Sequence, residues 1–405
     1  MTTRALFLLP SVPLPARSGA QIRNLGLLRA AAQWAEVDAI AFGAAEEEPA
    51  LQHLVAHASV VPRPRLAGGV ERLSRLVRSP LPDLAWRYHS TAFERTVSLL
   101  VAERGYDVVQ AEGLEVARPL LTLSGPTRVY DAHNAEWALQ RRAEAAASPR
   151  LGSSTLLRWA YSRTQAARLA RYERAVLAAS TLALAVSQQD ASMLEALGTT
   201  TPVAVLPNAV DPATYPYAET DPAGPPTLLF LGKLDYRPNA EGLRWFLEAV
   251  LPAIRRGVPA VRLFVVGATP PPWLVAWGQR DPGVAVVGDV DDELPYLRRA
   301  HALFIPLLAG GGSRLKALVA MSAGTPVMTT RQGIEGLDLE PGRDVLHADT
   351  PREWAEASAR LLRSAAMRTE LRRAGRAIVT SRYSSAVTAP RLREAWQTAG
   401  ALPAA

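Results

Sequence analysis

Residues 302–327 read ALFIPLLAGGGSRLKALVAMSAGTPV, and this stretch decides which fold and which kind of site we expect. The apolar run 302–307 predicts a buried strand, the consecutive glycines predict a turn, and the small apolar residues from Leu315 onward predict a helix. In open parallel sheets, ligands bind where strands end, because the following helix offers unpaired N–H groups and the positive end of its dipole. The stretch therefore predicts an α/β fold with a binding site at the glycine turn.

The residues of this turn suit a diphosphate. Gly311 and Gly312 allow the backbone to approach an anion closely, and the side chain of Ser313 is placed to cap the helix. Arg314 and Lys316 add two positive charges near the positive end of the helix dipole. Packing alone would also explain the glycines, but the two basic residues favour anion binding.

Two further segments are expected to face the same anion. Lys233 and Lys316 are the only lysines among 45 basic residues, and both stand beside glycines. Lys233 follows the predicted strand TLLFLG, so it is a second cationic group for the phosphate, although chance also explains such a position. Gly19, in PARSGAQIRN after the first predicted strand, is expected to open a loop towards the cleft.

Composition bounds the class of protein. The chain has 405 residues, 48% apolar and 20% charged, a formal charge of +7 and no cysteine. These values are typical of a folded two-domain protein, and they exclude disulfides, cysteine nucleophiles and cysteine-bound metals. The N-terminal apolar run ends at Pro10 and is too short for a signal peptide, and no run reaches the roughly 18 residues of a membrane helix. We therefore expect a cytoplasmic protein.

Short apolar strands alternate with helical patterns over nearly the whole length, as in repeated βα units. Between the two sets lies NAVDPATYPYAETDPAGPP, which has no apolar period and is typical of a linker. The pattern predicts an α/β fold with two doubly wound, Rossmann-like domains that face a cleft. The expected bounds are 1–208 for the first domain, 225–385 for the second, and 386–405 for a C-terminal helix and tail.

Two segments of the first domain are rich in arginine. Residues 141–174 contain eight arginines, and residues 63–87 contain six. Solvated helix faces explain such runs, and a basic surface that meets anionic lipid headgroups or an acidic acceptor is the functional alternative. Binding of nucleic acid is not expected, because no recognition motif accompanies the charge.

Several motifs resemble, in their order, those of the family 4 glycosyltransferases (glycosyl transferases group 1), which are retaining enzymes of the GT-B fold. They are PARSGAQIRNLGLLRAAA, VYDAHNAE, VLPNAVD, FLGKLDYRPN, VVGATP and, in the branch with this motif, GGGSRLK. The resemblance spans about residues 5–385. It implies that the second domain binds a nucleotide-diphosphate sugar, that the first admits the acceptor, and that the last helix crosses back to the first domain.

The resemblance also implies roles for individual residues. Lys233, Arg314 and Lys316 would bind the diphosphate, whose developing negative charge is the main chemical demand of sugar transfer. His133 in DAHN matches the histidine that the family places against the donor sugar. Glu335 in QGIEGL corresponds to a carboxylate near the nucleotide.

The sequence departs from the family at two positions. Family members carry two glutamates that bind the donor sugar and the ribose, and the equivalent residues here are Gly311 and Val319. Three explanations of Val319 remain: a donor with one hydroxyl fewer, such as a dTDP-sugar; a contact supplied by another residue; or lost catalysis in a protein that acts as a partner subunit. The first two keep the protein an enzyme.

No metal ion and no cofactor other than the nucleotide-sugar co-substrate are expected. Asp289 and Asp291 have the spacing of a cation-binding Asp-x-Asp triplet, but they fall in a turn, GDVDD, that the family shares. An NAD-dependent oxidoreductase is excluded because no G-x-G-x-x-G follows the first strand. The expected acceptor is a glycolipid, a polysaccharide or a secondary metabolite, and peripheral contact with the inner membrane face is compatible with the basic segments.

Overall fold

Two parallel β-sheets organise the chain into two lobes. The computed structural model describes residues 3–65, 68, 71, 74, 78–146, 153–308 and 314–402. The prediction of two Rossmann-like sheets with alternating helices is confirmed.

The first sheet has seven strands in the order β3-β2-β1-β4-β5-β6-β7. Their bounds are β1 Thr3–Leu9, β2 Ala35–Phe42, β3 His57–Val61, β4 Val108–Glu112, β5 Thr127–Ala132, β6 Leu182–Ala185 and β7 Val203–Val205. The edge strand β3 was not predicted from the sequence.

The second sheet has six strands in the order β10-β9-β8-β11-β12-β13. Their bounds are β8 Thr227–Leu231, β9 Arg262–Val266, β10 Val284–Gly288, β11 Ala302–Ile305, β12 Val327–Thr329 and β13 Leu346–His347. In both sheets the strand order reverses beside the first strand, which creates a crevice at the carboxyl ends of the central strands.

The helices lie between the strands along the chain. Their bounds are α1 Gly19–Ala31, α2 Glu48–Gln52, α3 Asp83–Arg87, α4 Thr91–Arg104, α5 Glu136–Ala146, α6 Ser153–Ala179, α7 Gln188–Glu195, α8 Arg237–Trp245, α9 Leu251–Gly257, α10 Pro272–Arg280, α11 Leu294–Arg299, α12 Leu315–Ala323, α13 Pro351–Arg363, α14 Ala365–Arg382 and α15 Ser385–Thr398. A π-helical turn, Phe246–Val250, joins α8 to α9. None of the helices in the described ranges is long and apolar enough to cross a bilayer.

The central strands are apolar throughout because both faces of each sheet are covered. In β1, Leu6 and Leu8 pack into the core on one face, whereas Phe7 and Leu9 pack into the core on the other. Side chains alternate between faces in a strand, so a strand that is buried on both sides shows a continuous apolar run. This pattern made the strands recognisable in the sequence.

The segment between the sheets is anchored to the second lobe, and the last helix returns to the first. Arg368 donates to Asp221 at 3.0 Å, and Arg372 pairs with the same carboxylate at 2.5 Å. Helix α15 then carries Trp396 into the core of the first lobe, where its Nε1 donates to Oε1 of Gln110 at 2.9 Å. The predicted crossing of the C-terminal helix is therefore present.

Candidate active-site cleft

A cleft of about 500 Å³ lies between the two lobes. Its first-lobe wall consists of residues 16–20 and Ile22, where β1 has ended and α1 begins. Its second-lobe wall lies where strands β8 to β11 end and α12 begins. The cleft therefore occupies the position where doubly wound sheets bind their ligands.

Two helix N-termini border this cleft, one from each lobe. Gly19 is the first residue of α1, and the hydroxyl of Ser18 accepts a hydrogen bond from the backbone nitrogen of Gln21 at 3.3 Å. On the opposite wall, α12 begins at Leu315. The positive ends of both helix dipoles thus favour an anion in the cleft.

The ammonium group of Lys316 lies among uncharged groups on the second-lobe wall. Its Nζ donates a hydrogen bond to Oδ1 of Asn239 at 3.1 Å and lies 4.6 Å from the centre of the Phe230 ring. Within the described part of the chain, no carboxylate forms an ion pair with it. Burial, with a smaller contribution from the charge of Arg314, lowers the pKa of Lys316 to about 7. A bound phosphate would supply the negative charge that is absent here.

Gly232 leaves space around this ammonium group, and Gly267 allows a close backbone approach next to it. Gly232 follows β8 with φ +138°, and a Cβ there would lie 3.0 Å from Nζ of Lys316. A Cβ at Gly267, where φ is +154°, would lie 1.9 Å from the carbonyl oxygen of Gly232, so this position accepts only glycine.

Lys233 also lines the cleft. Its side chain is 63% exposed and pairs with Asp235 at 3.3 Å. Because an exposed ion pair is weak, we expect that Lys233 can reorient towards a ligand.

Arg314 lines both the main cleft and a smaller neighbouring cavity of about 40 Å³. Its Nη2 donates to the carbonyl oxygen of Gln332 at 2.7 Å and lies 3.7 Å from Oε2 of Glu335. Glu335 lines the smaller cavity, where it accepts hydrogen bonds from Arg142 at 2.9 Å and Gln189 at 2.8 Å, both in the first lobe. This carboxylate links the two lobes, and its role in nucleotide binding stays a prediction.

Val319 lines the cleft one turn beyond Lys316 on α12. It is 3% exposed and belongs to the apolar core of the second lobe. The wall at this position is therefore apolar. Three other predicted residues of the turn, Gly311, Gly312 and Ser313, lie outside the described residues.

Two carboxylates line the described part of the cleft, Asp289 and Glu293. Arg17 of the first lobe donates to Asp289 at 3.2 Å and to Asp291 at 2.5 Å. Both aspartates of the Asp-x-Asp triplet are thus paired with an arginine. Glu293 instead accepts a hydrogen bond from the hydroxyl of Tyr215 at 3.0 Å.

His133 follows the carboxyl end of β5, where it meets two buried carboxylates. Its Nε2 lies 3.4 Å from Oδ2 of Asp131 and 3.5 Å from Oε2 of Glu112. Arg23 donates to both oxygens of Asp131, at 2.5 and 2.7 Å. The side-chain amide of Asn24 lies 3.0 Å from Oε2 of Glu112 and 3.2 Å from Nε2 of His133.

These buried groups determine the charge of the histidine. Burial lowers the pKa of His133, but hydrogen bonds and charges from Asp131 and Glu112 outweigh it and raise this pKa to about 10. Burial also opposes ionisation of Asp131, yet the Arg23 guanidinium holds its pKa well below the usual range. Burial and the charge of Asp131 raise the pKa of Glu112. His133 is therefore an imidazolium at neutral pH and donates through Nε2.

The structure brings five of the seven described residues that the sequence predicted for the site to one place. Among the described residues, Gly19, Lys233, Arg314, Lys316 and Val319 line the cleft, whereas His133 and Glu335 lie outside its lining.

Sequence reasoning did not identify Arg23, Asn24, Glu112 or Asn239 as part of the site. Glu112 had a detectable signal, a charged residue at the end of the buried strand VVQAE. Glu112, Asp131 and His133 also place possible metal ligands within 4.8 Å of one another. A cation there would compete with Arg23 for both oxygens of Asp131.

Two family models match the chain. Residues 17–214 match the model described as Glycosyltransferase Family 4, and residues 225–364 match the model described as Glycosyl transferases group 1. Each match falls on one lobe, and together they span most of the sequence. Among curated proteins, no significant match was found.

Solved structures share the two-lobed architecture. Sucrose-phosphate synthase from Thermosynechococcus elongatus has a TM-score of 0.70 at 17% identity, covering 98% of this chain and 99% of that chain. HepE from Anabaena, solved in complex with UDP, has a TM-score of 0.69 at 15% identity, covering 98% and 100%. WaaG, a glycosyltransferase involved in lipopolysaccharide biosynthesis, has a TM-score of 0.63 at 15% identity, covering 97% and 99%. These similarities establish the fold as GT-B.

Proposed function

The chain belongs to the family 4 glycosyltransferases and is an enzyme of that class, and from this premise we propose that it transfers a sugar, in the manner of a hexosyltransferase, from a nucleotide-diphosphate sugar to a hydroxyl group. The reaction proceeds with retention of anomeric configuration. It uses no metal ion, and the nucleotide sugar is a co-substrate rather than a resident cofactor.

The observation that carries this proposal is the environment of Lys316. Its ammonium group is buried beside Asn239 and Phe230 in the interlobe cleft, without a carboxylate partner in the described residues. Keeping a cationic group in such a place costs stability, and a structural role would normally provide a counter-ion. A diphosphate entering the cleft provides that counter-ion and gains a charge-assisted hydrogen bond.

Sugar transfer places its largest charge change on the departing diphosphate. The bond from the anomeric carbon to the phosphate oxygen breaks, its electron pair stays on that oxygen, and the acceptor oxygen bonds to the same face of the sugar. The acceptor proton passes to the departing phosphate oxygen. Lys316, Lys233, Arg314 and the N-terminus of α12 neutralise the developing charge, which is the electrostatic contribution that such sites require.

His133 supports the sugar rather than the phosphate. Because its ring carries a positive charge at neutral pH, it serves as a hydrogen-bond donor to the sugar and not as a general base. Asp131 is committed to Arg23 and His133 and orients the loop that carries the histidine.

Metal independence rests on the same cations. Arg17 donates hydrogen bonds to Asp289 and Asp291, and Arg23 donates to Asp131. At both possible metal sites, a carboxylate therefore already has an arginine as its partner. Lysine, arginine and helix dipoles perform the charge neutralisation that a divalent cation provides in other transferases.

The acceptor is a glycolipid, a polysaccharide or a secondary metabolite, admitted by the first lobe. The HepE structures contain UDP and UDP-glucose, and WaaG acts in lipopolysaccharide biosynthesis, which supports a nucleotide-sugar donor and a glycan-type acceptor. We place the enzyme in the cytoplasm, with the basic segments of the first lobe in peripheral contact with anionic lipids at the inner membrane face.

Val319 leaves an alternative function to be tested. An apolar residue where the family binds ribose is compatible with a catalytically impaired protein that acts as the partner subunit of another transferase. It is equally compatible with a donor that lacks a ribose hydroxyl, such as a dTDP-sugar, or with ribose binding by another residue.

Calorimetric titration with UDP, dTDP, GDP and ADP tests the proposal. We expect at least one diphosphate to bind, and the corresponding nucleotide sugar to be hydrolysed or transferred without added metal and in the presence of EDTA. The anomeric configuration of the product, read by proton NMR, tests retention. Binding without any turnover supports the partner-subunit alternative, and absence of all nucleotide binding refutes the proposal.

A further inference from the structure

The cleft must also accommodate the pentose of the nucleotide, and the course of α12 indicates where it lies. Lys316 stands in the first turn of this helix and Val319 three residues later, about 4.5 Å further along the axis. With the diphosphate at Lys316, the pentose of the nucleotide fits beside Val319. An apolar side chain leaves the pentose hydroxyls without a partner on this helix, and unpaired hydroxyls in a closed site are unfavourable.

Glu293 provides a carboxylate on the same wall. It lines the cleft together with Val319 and is half-buried at the start of α11. One oxygen accepts the hydrogen bond from the Tyr215 hydroxyl at 3.0 Å. Within the described part of the chain, the other oxygen, Oε2, makes no hydrogen bond. A carboxylate with one oxygen fixed and one available is suited to accept from a hydroxyl pair.

Tyr215 contacts both Glu293 and helix α12, and so fixes the position of Glu293 relative to this helix. The carbonyl oxygen of Tyr215 accepts hydrogen bonds from Ser322 at 3.4 Å and from Arg376 at 3.2 Å. Ser322 lies three residues beyond Val319, on a neighbouring part of the helix surface. These contacts therefore connect helix α12, which carries Val319, with Glu293 at the start of α11.

The other carboxylate of the described part of the cleft, Asp289, already has an ion-pair partner. Asp289 is ion-paired with Arg17 of the first lobe at 3.2 Å. Using it for the ribose would require breaking a contact between the lobes. Glu293 requires no such rearrangement.

We propose that Glu293 binds the ribose hydroxyls of the donor nucleotide, in place of a carboxylate at Val319, and that the donor is a ribonucleotide. The inference rests on the proposed function, because it assumes that the diphosphate lies at Lys316. It selects among the explanations of Val319, since it assigns the ribose contact to another residue and disfavours a deoxyribonucleotide donor.

Matched ribose and deoxyribose ligands test this assignment without knowledge of the base. Calorimetry is performed with the pairs UDP and 2′-deoxy-UDP, GDP and 2′-deoxy-GDP, and ADP and 2′-deoxy-ADP. For the base that binds, we expect the ribonucleotide to bind about tenfold or more tightly than its deoxy counterpart. In Glu293→Gln this ratio should fall to about one or two, with the affinity for the deoxynucleotide nearly unchanged.

Two variants serve as controls. Asp289→Asn removes the other carboxylate of the cleft and should keep the ribose preference. Val319→Glu, combined with Glu293→Gln, should restore part of the preference by returning a carboxylate to α12. Circular dichroism verifies the fold of each variant, and Glu293→Gln is nearly isosteric.

The outcomes separate this inference from the proposed function. If wild type binds nucleotides but Glu293→Gln keeps the ribose preference, or if wild type prefers the deoxy form, the assignment of Glu293 is wrong and the proposed function stands. Loss of the preference in Asp289→Asn alone would also refute it, by moving the contact to Asp289. If wild type binds dTDP but none of the six ligands, the assignment of Glu293 is wrong and the proposed function stands. If it binds neither dTDP nor any of the six, the proposed function fails and the assignment fails with it.

Discussion

Nζ of Lys316 lies 3.1 Å from Oδ1 of Asn239, and this amide oxygen is its hydrogen-bond acceptor in the described structure. A neutral acceptor compensates only part of the cost of burying an ammonium group. We therefore expect Lys316 to lower the stability of the ligand-free protein and to increase the affinity of the cleft for an anion.

Lys316→Met should separate these two effects. We expect nucleotide diphosphate binding to weaken at least a hundredfold and sugar transfer to fall below detection, because a direct charge-assisted contact is lost. The ligand-free protein should become more stable, by on the order of 1 to 3 kcal/mol at pH 7, because a buried charge is removed. Calorimetry and urea denaturation measure the two quantities.

Lys316→Arg is the matched control, because it keeps the charge at the same position. It should retain part of the nucleotide affinity. If Lys316→Met bound the nucleotide as tightly as wild type, Lys316 would have no part in the phosphate site.

Nucleotide binding should depend on pH through the same group. The pKa of Lys316 is about 7 in the ligand-free protein, so below pH 7 the group is already charged and ready to pair with phosphate. Above pH 7 it must take up a proton on binding, and affinity should fall by up to about tenfold per pH unit. Titrations at pH 8 in buffers of different ionisation enthalpy should report proton uptake. Affinity that is constant from pH 7 to pH 9 would contradict this prediction.

The lowered pKa also fixes the sign of a stability effect. In the unfolded chain a lysine has a pKa of about 10.4, above the folded value of about 7. Between these values the unfolded state binds more protons, so the contribution of Lys316 to stability becomes less unfavourable as pH rises from 7 to 10. The stability advantage of Lys316→Met should shrink over this interval.

His133 should remain protonated across the physiological range. Its pKa is raised to about 10 by the two carboxylates, so its ring signals in proton NMR should not titrate between pH 6 and pH 8.5. Glu112→Gln removes one carboxylate and should bring the titration into that window. Glu115→Gln is the control, since this carboxylate lies near Gly113 beside the ring but is not among the main causes of the raised His133 pKa. A normal histidine titration in wild type would overturn the assigned charge state.

The raised pKa of His133 makes its contribution to stability fall as pH rises, whereas the contribution of Lys316 becomes less unfavourable. Its folded pKa exceeds the unfolded value of about 6.5, so the stabilisation is complete below pH 6.5 and is lost as pH rises through 10. The difference in unfolding free energy between wild type and His133→Gln should therefore decrease over this range. Urea denaturation at pH 6, 8 and 10 measures it.

The pair Arg142 and Glu335 should couple the two lobes. Their contact of 2.9 Å is partly exposed, so a double-mutant cycle with Arg142→Ala and Glu335→Gln should give a modest coupling of about 0.5 to 1 kcal/mol in nucleotide binding. Arg141→Ala, on the same helix but stacked over Trp137, is the control. Strictly additive effects would show that the contact does not contribute to lobe closure.

The sequence predicted the fold well because its signals are local. Strands such as β1 and β8 are buried on both faces and therefore appear as continuous apolar runs bounded by turns. The edge strand β3, with an exposed His57 and a mixed pattern, lacks that signal and was missed. Strand β11 and helix α12, which flank the glycines, were recognisable for the same reason, since each has a local apolar pattern.

The rest of the site depends on contacts between distant segments. Glu112 meets His133 only because β4 and β5 pair in the first sheet. Glu335 meets Arg142 across 193 residues and two lobes, and no local pattern predicts such a pair. Glu293 became a candidate only when the structure placed it on the wall that carries Val319.

A crystal structure with the tightest-binding nucleoside diphosphate would show directly whether Lys316 binds the diphosphate. We expect a phosphate oxygen within about 3 Å of Nζ of Lys316, between the N-termini of α1 and α12. A diphosphate bound elsewhere, with Lys316 still bonded to Asn239, would contradict it.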